Sequence, residues 1–332
     1  MNTKLVFLNK SEELYHNLNT IESKSTLIIV DSNLSFLEIE NYVNHKVVYL
    51  SIAESEKNIK SVEIIWNLLF ENGLDRSSKV LIIGGGVLLD TAAFACSTFK
   101  RGITYTLIPS TLLGMVDAAH GGKNGFNNEF GKNQIGTISL PHEVMICFQF
   151  LETLSEKIYK EGLIELIKHG LIADDNLFTE IFHSETYQIS NELIKKGIDI
   201  KVEIVNKDLF ESGERKLLNF GHTIGHLIEF DSNYELSHGE AIASGIYYEL
   251  LLSNKILNLE NSILDQYEEL INKLNLVTKY NFKNKKNELI TALQNDKKAS
   301  KSGVDIVLLS KLSEPVIKEI SFEKIFEVVD FE

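Results

Sequence analysis

Four aliphatic residues, Val80-Leu81-Ile82-Ile83, run straight into Gly84-Gly85-Gly86 and then into the small-residue stretch Val87 to Lys100, with Ala92, Ala93 and Ala95. An unbroken aliphatic run with no polar alternation reads as a strand buried on both faces. A helix that follows a glycine turn at once places side-chain-free backbone and the positive end of a helix dipole at the strand's carboxyl end, where a pyrophosphate can approach. The spacing is not GxGxxG, so the ordinary dinucleotide fingerprint is absent. A tight strand-to-helix turn with no ligand accounts for the same residues.

The same grammar recurs through the first half. Thr26 to Val30 reads as a buried strand ended by Asp31-Ser32-Asn33, Lys46 to Leu50 as another, and Ile103 to Ile108 as a third stopped by Pro109. Ile59 to Asn72 has helical periodicity, with Ile64, Leu68 and Leu69 on one side. Strand–helix–strand alternation predicts an α/β, Rossmann-like domain with a mostly parallel sheet. Residues 110–140 (rich in Gly, Asn and Lys) read as a long, ordered, functional loop carrying apolar anchors at Leu112, Leu113, Phe126, Phe130 and Ile135. From about residue 150 the pattern turns helical: Leu154 to Ala173, Leu177 to Phe182, Ser190 to Asp208, Leu217 to Phe230, Gly239 to Asn254 and Ile263 to Leu274. The expected division is 1–150, an α/β domain, and 151–332, an all-α domain, with Val304 to Leu309 returning as a short strand. At roughly 150 residues per domain, 332 residues suit two.

A net charge of −14 makes nucleic acid a poor partner, since the mean field repels a polyanion. No apolar run approaches the ~18 residues of a membrane span, and the charged start is unlike a signal peptide. Cys96 and Cys147 in apolar surroundings suit a reducing compartment, hence a cytoplasmic protein.

Three constellations carry chemistry. In GHTIGHLIE, Asn219, His222 and His226 are expected on one helical face, and SHGEA adds His238 at the start of the next helix. Two imidazoles from different helices can meet at a metal, with Glu165, Glu229 and Glu240 as candidate carboxylates. In GLIELIKHG, Glu165, Lys168 and His169 share a face, which reads either as a solvated stripe, favoured for the helix alone, or as a polar group turned into a cleft. Lys123, Lys132 and Asn133, with Arg101, Lys201 and Arg215, can gather an anion pocket in an acidic chain, although any single one reads better as a surface cation.

Taken together, GGGVLLD, RGITYTLIPSTLLGMVDAAHGGKNGFNNEFGKNQIG, GLIELIKHGLI, RKLLNFGHTIGHLIE and SHGEA resemble, in order and spacing, the 3-dehydroquinate synthase family of the sugar-phosphate cyclases. The resemblance runs from about Thr26 to Leu309. It implies an NAD-binding α/β domain, a helical metal domain, an active site in the cleft between them, and a homodimer in which Arg101 reaches the neighbour's phosphate site. It implies the metal ligands Glu165, His222 and His238, usually with zinc and sometimes cobalt. For the cofactor it implies Asp31, Asn33, Glu54, Lys57, Gly84, Gly85, Gly86, Val87, Asp90, Ser110 and Thr111, joined by Lys123 and Lys132. For substrate and catalysis it implies Asp117, Lys123, Lys132, Asn133, Lys168, Lys201, Arg215, Asn219, His226, Arg101 and one of Lys297 and Lys298.

The implied activity belongs to the shikimate pathway, toward chorismate and the aromatic amino acids. A lyase converts 3-deoxy-D-arabino-heptulosonate 7-phosphate to 3-dehydroquinate and phosphate by transient oxidation with NAD, elimination, reduction and aldol closure. Leu89, His120 and Asn124 depart from the family's usual residues and flank the expected site. The alternatives are a sibling cyclase acting on another heptulose phosphate and a metal-dependent alcohol dehydrogenase.

Overall fold

The computed structural model describes residues 3–21, 25–294 and 303–329; Lys297 and Lys298 lie outside them. The chain divides into two compact units, Met1–Tyr159 and Lys160–Glu332, against an expected boundary near residue 150.

The first unit runs β1 (Lys4–Leu8), α1 (Ser11–Asn19), β2 (Thr26–Asp31), β3 (Lys46–Leu50), α2 (Ile59–Glu71), β4 (Lys79–Gly84), α3 (Gly86–Thr98), β5 (Thr104–Pro109), α4 (Leu112–Val116), β6 (Lys123–Asn128), β7 (Gly131–Ile138) and β8 (Glu143–Cys147). Six strands form one parallel sheet in the order β1-β8-β5-β4-β2-β3. Leu27, Ile28, Ile29 and Val30 of β2 and Val80, Leu81, Ile82 and Ile83 of β4 are all buried, as a sheet covered on both faces requires. β2 and β4 are neighbours, yet the chain leaves β2 toward the β3 edge and leaves β4 toward β5 on the other side. Open α/β sheets bind their ligands at the carboxyl ends of such a divergent strand pair.

Two expectations change here. Residues 110–140 are not one loop. They form α4, a short 3₁₀ turn and the antiparallel hairpin β6–β7, in which Gly125 faces Gly136. Backbone packs closely there, so Gly125 and Gly136, which look like loop signals, are strand residues. On α2 the buried stripe is Val62, Ile65 and Leu69, while Ile64 is exposed.

The second unit runs α5 (Glu156–Ala173, which begins at the end of the first unit), α6 (Asp175–Phe182), α7 (Asn191–Lys207), α8 (His222–Asp231), α9 (His238–Leu257), α10 (Asn261–Lys273), α11 (Lys286–Gln294), β9 (Gly303–Lys311), β10 (Glu314–Ser321) and α12 (Phe322–Ile325). It is helical apart from the β9–β10 hairpin, which contains the strand expected at Val304 to Leu309. Ser190 caps α7 by accepting from Leu193 N, and Ser237 caps α9 by accepting from Glu240 N.

The helix expected over Leu217 to Phe230 is interrupted. Glu214–Asn219 is a 3₁₀ turn and α8 begins only at His222. Gly221 between them has φ +81°, and a Cβ on it would meet Ile246 Cγ1 at 2.3 Å. A helix cannot run through that conformation, so Asn219 does not share a helical face with His222 and His226.

Candidate active site

In the first unit the Gly84-Gly85-Gly86 turn joins β4 to α3, with Gly85 as the N-cap and no side chain to occupy the helix's first N–H groups. A Cβ on Gly84 would lie 3.1 Å from Asp31 Cβ, so the ends of β2 and β4 converge closely. Asp31 stands at the carboxyl end of β2 and accepts from Asn33 N at 2.9 Å. A carboxylate at one strand end beside bare helix N–H groups at the next fits the ribose and pyrophosphate of a dinucleotide.

Lys57 is buried, and its ammonium donates to Asp90 Oδ2 at 2.7 Å and to Asn133 Oδ1 at 2.8 Å. Burial raises the Asp90 carboxyl pKa above its usual range, with Lys57 opposing. Asn127 donates to Glu54 Oε1 at 2.8 Å and accepts from Asn133 N at 2.9 Å, so the β6–β7 hairpin is tied to the segment carrying Glu54 and Lys57. Ser110 is buried and its N–H donates to Gly84 O; Thr111 caps α4 by accepting from Gly114 N. Val87 lies in the first turn of α3 and Asp117 closes α4. Lys123, Lys132 and Arg101 are exposed.

In the second unit three helices converge. Glu165 from α5, His222 from the first position of α8 and His238 from the first position of α9 place one ligand atom each within 4.8 Å of the others. His238 Nε2 lies 3.4 Å and His222 Nε2 3.6 Å from Glu165 Oε1. That oxygen is buried with no hydrogen-bond partner of good geometry. Its mate Oε2 is held by the Lys168 ammonium.

Glu165 and Lys168 are each 1% exposed and His169 is fully buried, so the solvated-stripe reading is wrong. The helix alone misleads because Glu165 is faced by His222 of α8 and His238 of α9, and His169 lies against α7 at Gly197, helices that arrive from later in the chain.

The three candidate carboxylates separate by what they touch. Glu240 Oε2 accepts from Ser237 N at 2.8 Å, completing a capping box, which explains the S-x-x-E spacing. Glu229 Oε1 faces His238 Nδ1 at 3.4 Å and so orients the ring whose Nε2 points to Glu165. Only Glu165 faces both imidazoles.

Burial opposes a charge on Glu165, but Lys168 and the two imidazoles outweigh it and hold the carboxyl well below its usual range. Burial, with Lys168 adding to it, pushes the His222 pKa well down. Burial also opposes protonation of His238, but Glu165 and Glu229 prevail and raise it to about 10. The group therefore pairs an anionic oxygen with one imidazole that resists a proton and one that welcomes positive charge. A divalent cation satisfies all three at once, and one carboxylate with two imidazoles is a zinc donor set that leaves coordination open.

Around this group, His226 is exposed on α8, its ring centroid 5.4 Å from that of His222. Arg215 and Lys201 are buried, with Arg215 Nη1 donating to Leu209 O. Asn219 donates to Glu211 Oε1 at 2.8 Å. Asp208 shapes the loop that leads into Arg215, accepting from Ser212 N, Gly213 N and Arg215 N. Sequence reasoning missed Glu211, Asp208 and the orienting role of Glu229. The D-x-x-x-S-G run after α7 was the available signal for Asp208.

Family models for the 3-dehydroquinate synthase N-terminal and C-terminal regions match residues 47–161 and 162–299. The 3-dehydroquinate synthase of Methylacidiphilum infernorum is 41% identical over 275 residues, covering 82% of this chain and 76% of that protein. The chain belongs to the 3-dehydroquinate synthase family. The enzyme of that name from Campylobacter jejuni subsp. doylei is 36% identical over 98% of this chain and 95% of its own length. In fold the chain is similar to 2-epi-5-epi-valiolone synthase from Streptomyces hygroscopicus subsp. jinggangensis, solved with NAD+ and Zn2+ bound. The TM-score is 0.87 at 23% identity, over 99% of this chain and 96% of that one.

Leu89, His120 and Asn124, expected to flank the site, are buried. Leu89 is buried on α3. His120 is buried with Nε2 2.6 Å from Met115 O, and Asn124 donates to Ser139 O at 2.9 Å and to Tyr105 Oη at 3.2 Å.

Proposed function

We propose that the protein is a 3-dehydroquinate synthase, a carbon–oxygen lyase of the shikimate pathway acting in the cytoplasm as a homodimer. Its substrate is 3-deoxy-D-arabino-heptulosonate 7-phosphate and its products are 3-dehydroquinate and phosphate. NAD serves as a hydride carrier that is regenerated in each cycle, with one divalent ion, zinc or cobalt, per subunit. The observation that carries the reading is the buried, unsatisfied Glu165 oxygen facing two imidazole nitrogens, in a chain of this family. Two buried free thiols, Cys96 and Cys147, suit a reducing compartment. Among the described residues, no helix is long and apolar enough to cross a membrane.

When bound, the metal polarises an alcohol or ketone oxygen and the nicotinamide accepts and returns a hydride. Glu165, His222 and His238 would hold the cation. Gly84 to Gly86 and Val87 would take the cofactor pyrophosphate on backbone N–H groups, and Asp31 with Asn33 a ribose. Glu54, Lys57, Asp90, Ser110 and Thr111 would shape the rest of the cofactor site. Lys123 and Lys132 would neutralise the substrate phosphate, with Arg101 supplied by the neighbouring subunit. Asn133 would donate its amide N–H to the phosphate while its oxygen stays on Lys57. Lys201 and the planar Arg215 guanidinium would bind the substrate carboxylate. Asp117, Asn219 and His226 would hold hydroxyls, His226 also moving a proton. Lys168 keeps Glu165 ionised.

The test supplies heptulosonate phosphate to purified protein with zinc and substoichiometric NAD. Equimolar phosphate and dehydroquinate with no accumulated NADH is the expected result. Accumulating NADH with a simple alcohol would identify a dehydrogenase instead. Phosphate release with a new carbocycle from sedoheptulose 7-phosphate alone would identify a sibling cyclase.

A further inference from the structure

A helix begins with N–H groups that have no partner inside it, and an N-cap side chain usually supplies one. At α8 the N-cap is Gly221, which has no side chain, and a Cβ there would strike Ile246. The helix that carries His222 and His226 therefore cannot cap itself. The acceptor comes from α9 instead: Glu249 Oε2 accepts from Gly221 N at 2.7 Å, and its Oε1 lies 3.5 Å from Ile224 N. The two contacts straddle His222.

We propose that Glu249 is a positioning residue that fixes the first turn of α8 and thereby the direction of the His222 imidazole. The inference rests on the reading of Glu165, His222 and His238 as metal ligands. Glu249 is fully buried, where a carboxylate is costly unless its charge is used. Here the carboxyl group sits at the positive end of a helix dipole, where its oxygens face backbone N–H groups that the helix itself leaves without an acceptor.

Glu249 is itself anchored. Its carbonyl accepts from Ser253 Oγ at 2.6 Å, and that hydroxyl accepts from Leu309 N of β9 at 2.9 Å. Since α9 also begins with His238, one helix presents an imidazole directly and sets the other through a cap. Both ligands thus answer to the register of α9 against α8.

The test compares zinc affinity, measured by chelator competition, in wild type, Glu249→Met and Glu249→Gln, together with the absorption spectrum of the Co2+-loaded proteins. Removing a group bonded to a metal ligand typically loosens metal about 10- to 100-fold; Glu249 acts one bond further out, through the backbone of α8, so Glu249→Met is expected at the lower end, about tenfold, with an altered cobalt spectrum. Glu249→Gln keeps one acceptor for Gly221 N, so a loss of only about threefold is expected, with faster hydrogen exchange at the Ile224 amide. NAD affinity should stay at the wild-type value in both.

Wild-type zinc affinity and cobalt spectrum in folded Glu249→Met would overturn the proposal. If that variant does not fold, Glu249→Gln decides, and unchanged affinity with unchanged exchange overturns it. Wild type that binds no zinc would instead defeat the metal reading beneath it.

Discussion

The two units build their candidate sites from different materials. In the first, the site is backbone: a glycine turn between β4 and α3, a strand-end carboxylate at Asp31, and bare N–H groups. In the second it is side chains: a carboxylate and two imidazoles from three helices, with Glu229, Lys168 and Glu249 holding them. A backbone site follows wherever its sheet folds and is damaged mainly by adding atoms. A side-chain site is lost by removing one.

That contrast can be broken experimentally. The largest effect should come from His222→Ala. Loss of a ligand should empty the cation site and lower kcat/KM at least ~10³-fold, about 4 kcal/mol. Normal zinc content with full turnover would refute the ligand assignment.

Gly245→Ala comes next. Its Cβ would sit 2.0 Å from Gly221 O and 2.6 Å from Gly225 N, backbone that cannot step aside. Overpacking of about 3 kcal/mol should lower Tm by roughly 5–10 °C, measured by calorimetry, and weaken zinc binding as α8 and α9 part. An unchanged Tm would mean that the two helices are not locked together.

Gly86→Ala is the counterpart in the first unit. The nearest atom to its Cβ would be Ala118 Cβ at 3.7 Å, an ordinary contact, so the fold should be unaffected. A methyl group over the turn should nonetheless weaken NAD by about tenfold, ~1.4 kcal/mol, in a calorimetric titration. Unaltered NAD affinity would remove the turn from the cofactor site.

The smallest effect is a pH response. Desolvation works to raise the Asp208 pKa, but three backbone N–H donors hold it at about 2, against 3.8 unperturbed. A depressed carboxyl stabilises its loop above the unfolded value and loses that contribution as pH falls toward the folded one. Protection of the Ser212, Gly213 and Arg215 amides, taken relative to the intrinsic exchange rate at each pH, should therefore fall between about pH 4 and pH 2, and in Asp208→Asn at neutral pH. Flat protection across that window would show that the loop is held by other contacts.

The same contrast governs what the sequence discloses. β2, β3, β4 and β5 and most helices are legible because each pattern is local, whether an aliphatic run, a 3.6-residue period or a cap. The first strand escapes notice because its partner lies at the far end of the unit: Lys4 pairs with Glu143. The break at Gly221 is hard to read because the close approach that requires a glycine there, from Ile246, comes from a different helix. The histidine spacing marks α8 and α9 as chemical, yet Glu165 reads as solvated until His222 and His238 face it. Glu249 carries no motif, since an acceptor for another helix's N–H groups depends on three-dimensional register.

The most direct test is anomalous diffraction at the zinc edge from crystals of the zinc-loaded protein. One peak per chain is expected, about 2.0–2.2 Å from Glu165 Oε1, His222 Nε2 and His238 Nε2. A peak bound by other residues, or no peak from protein that turns over normally, would contradict the account.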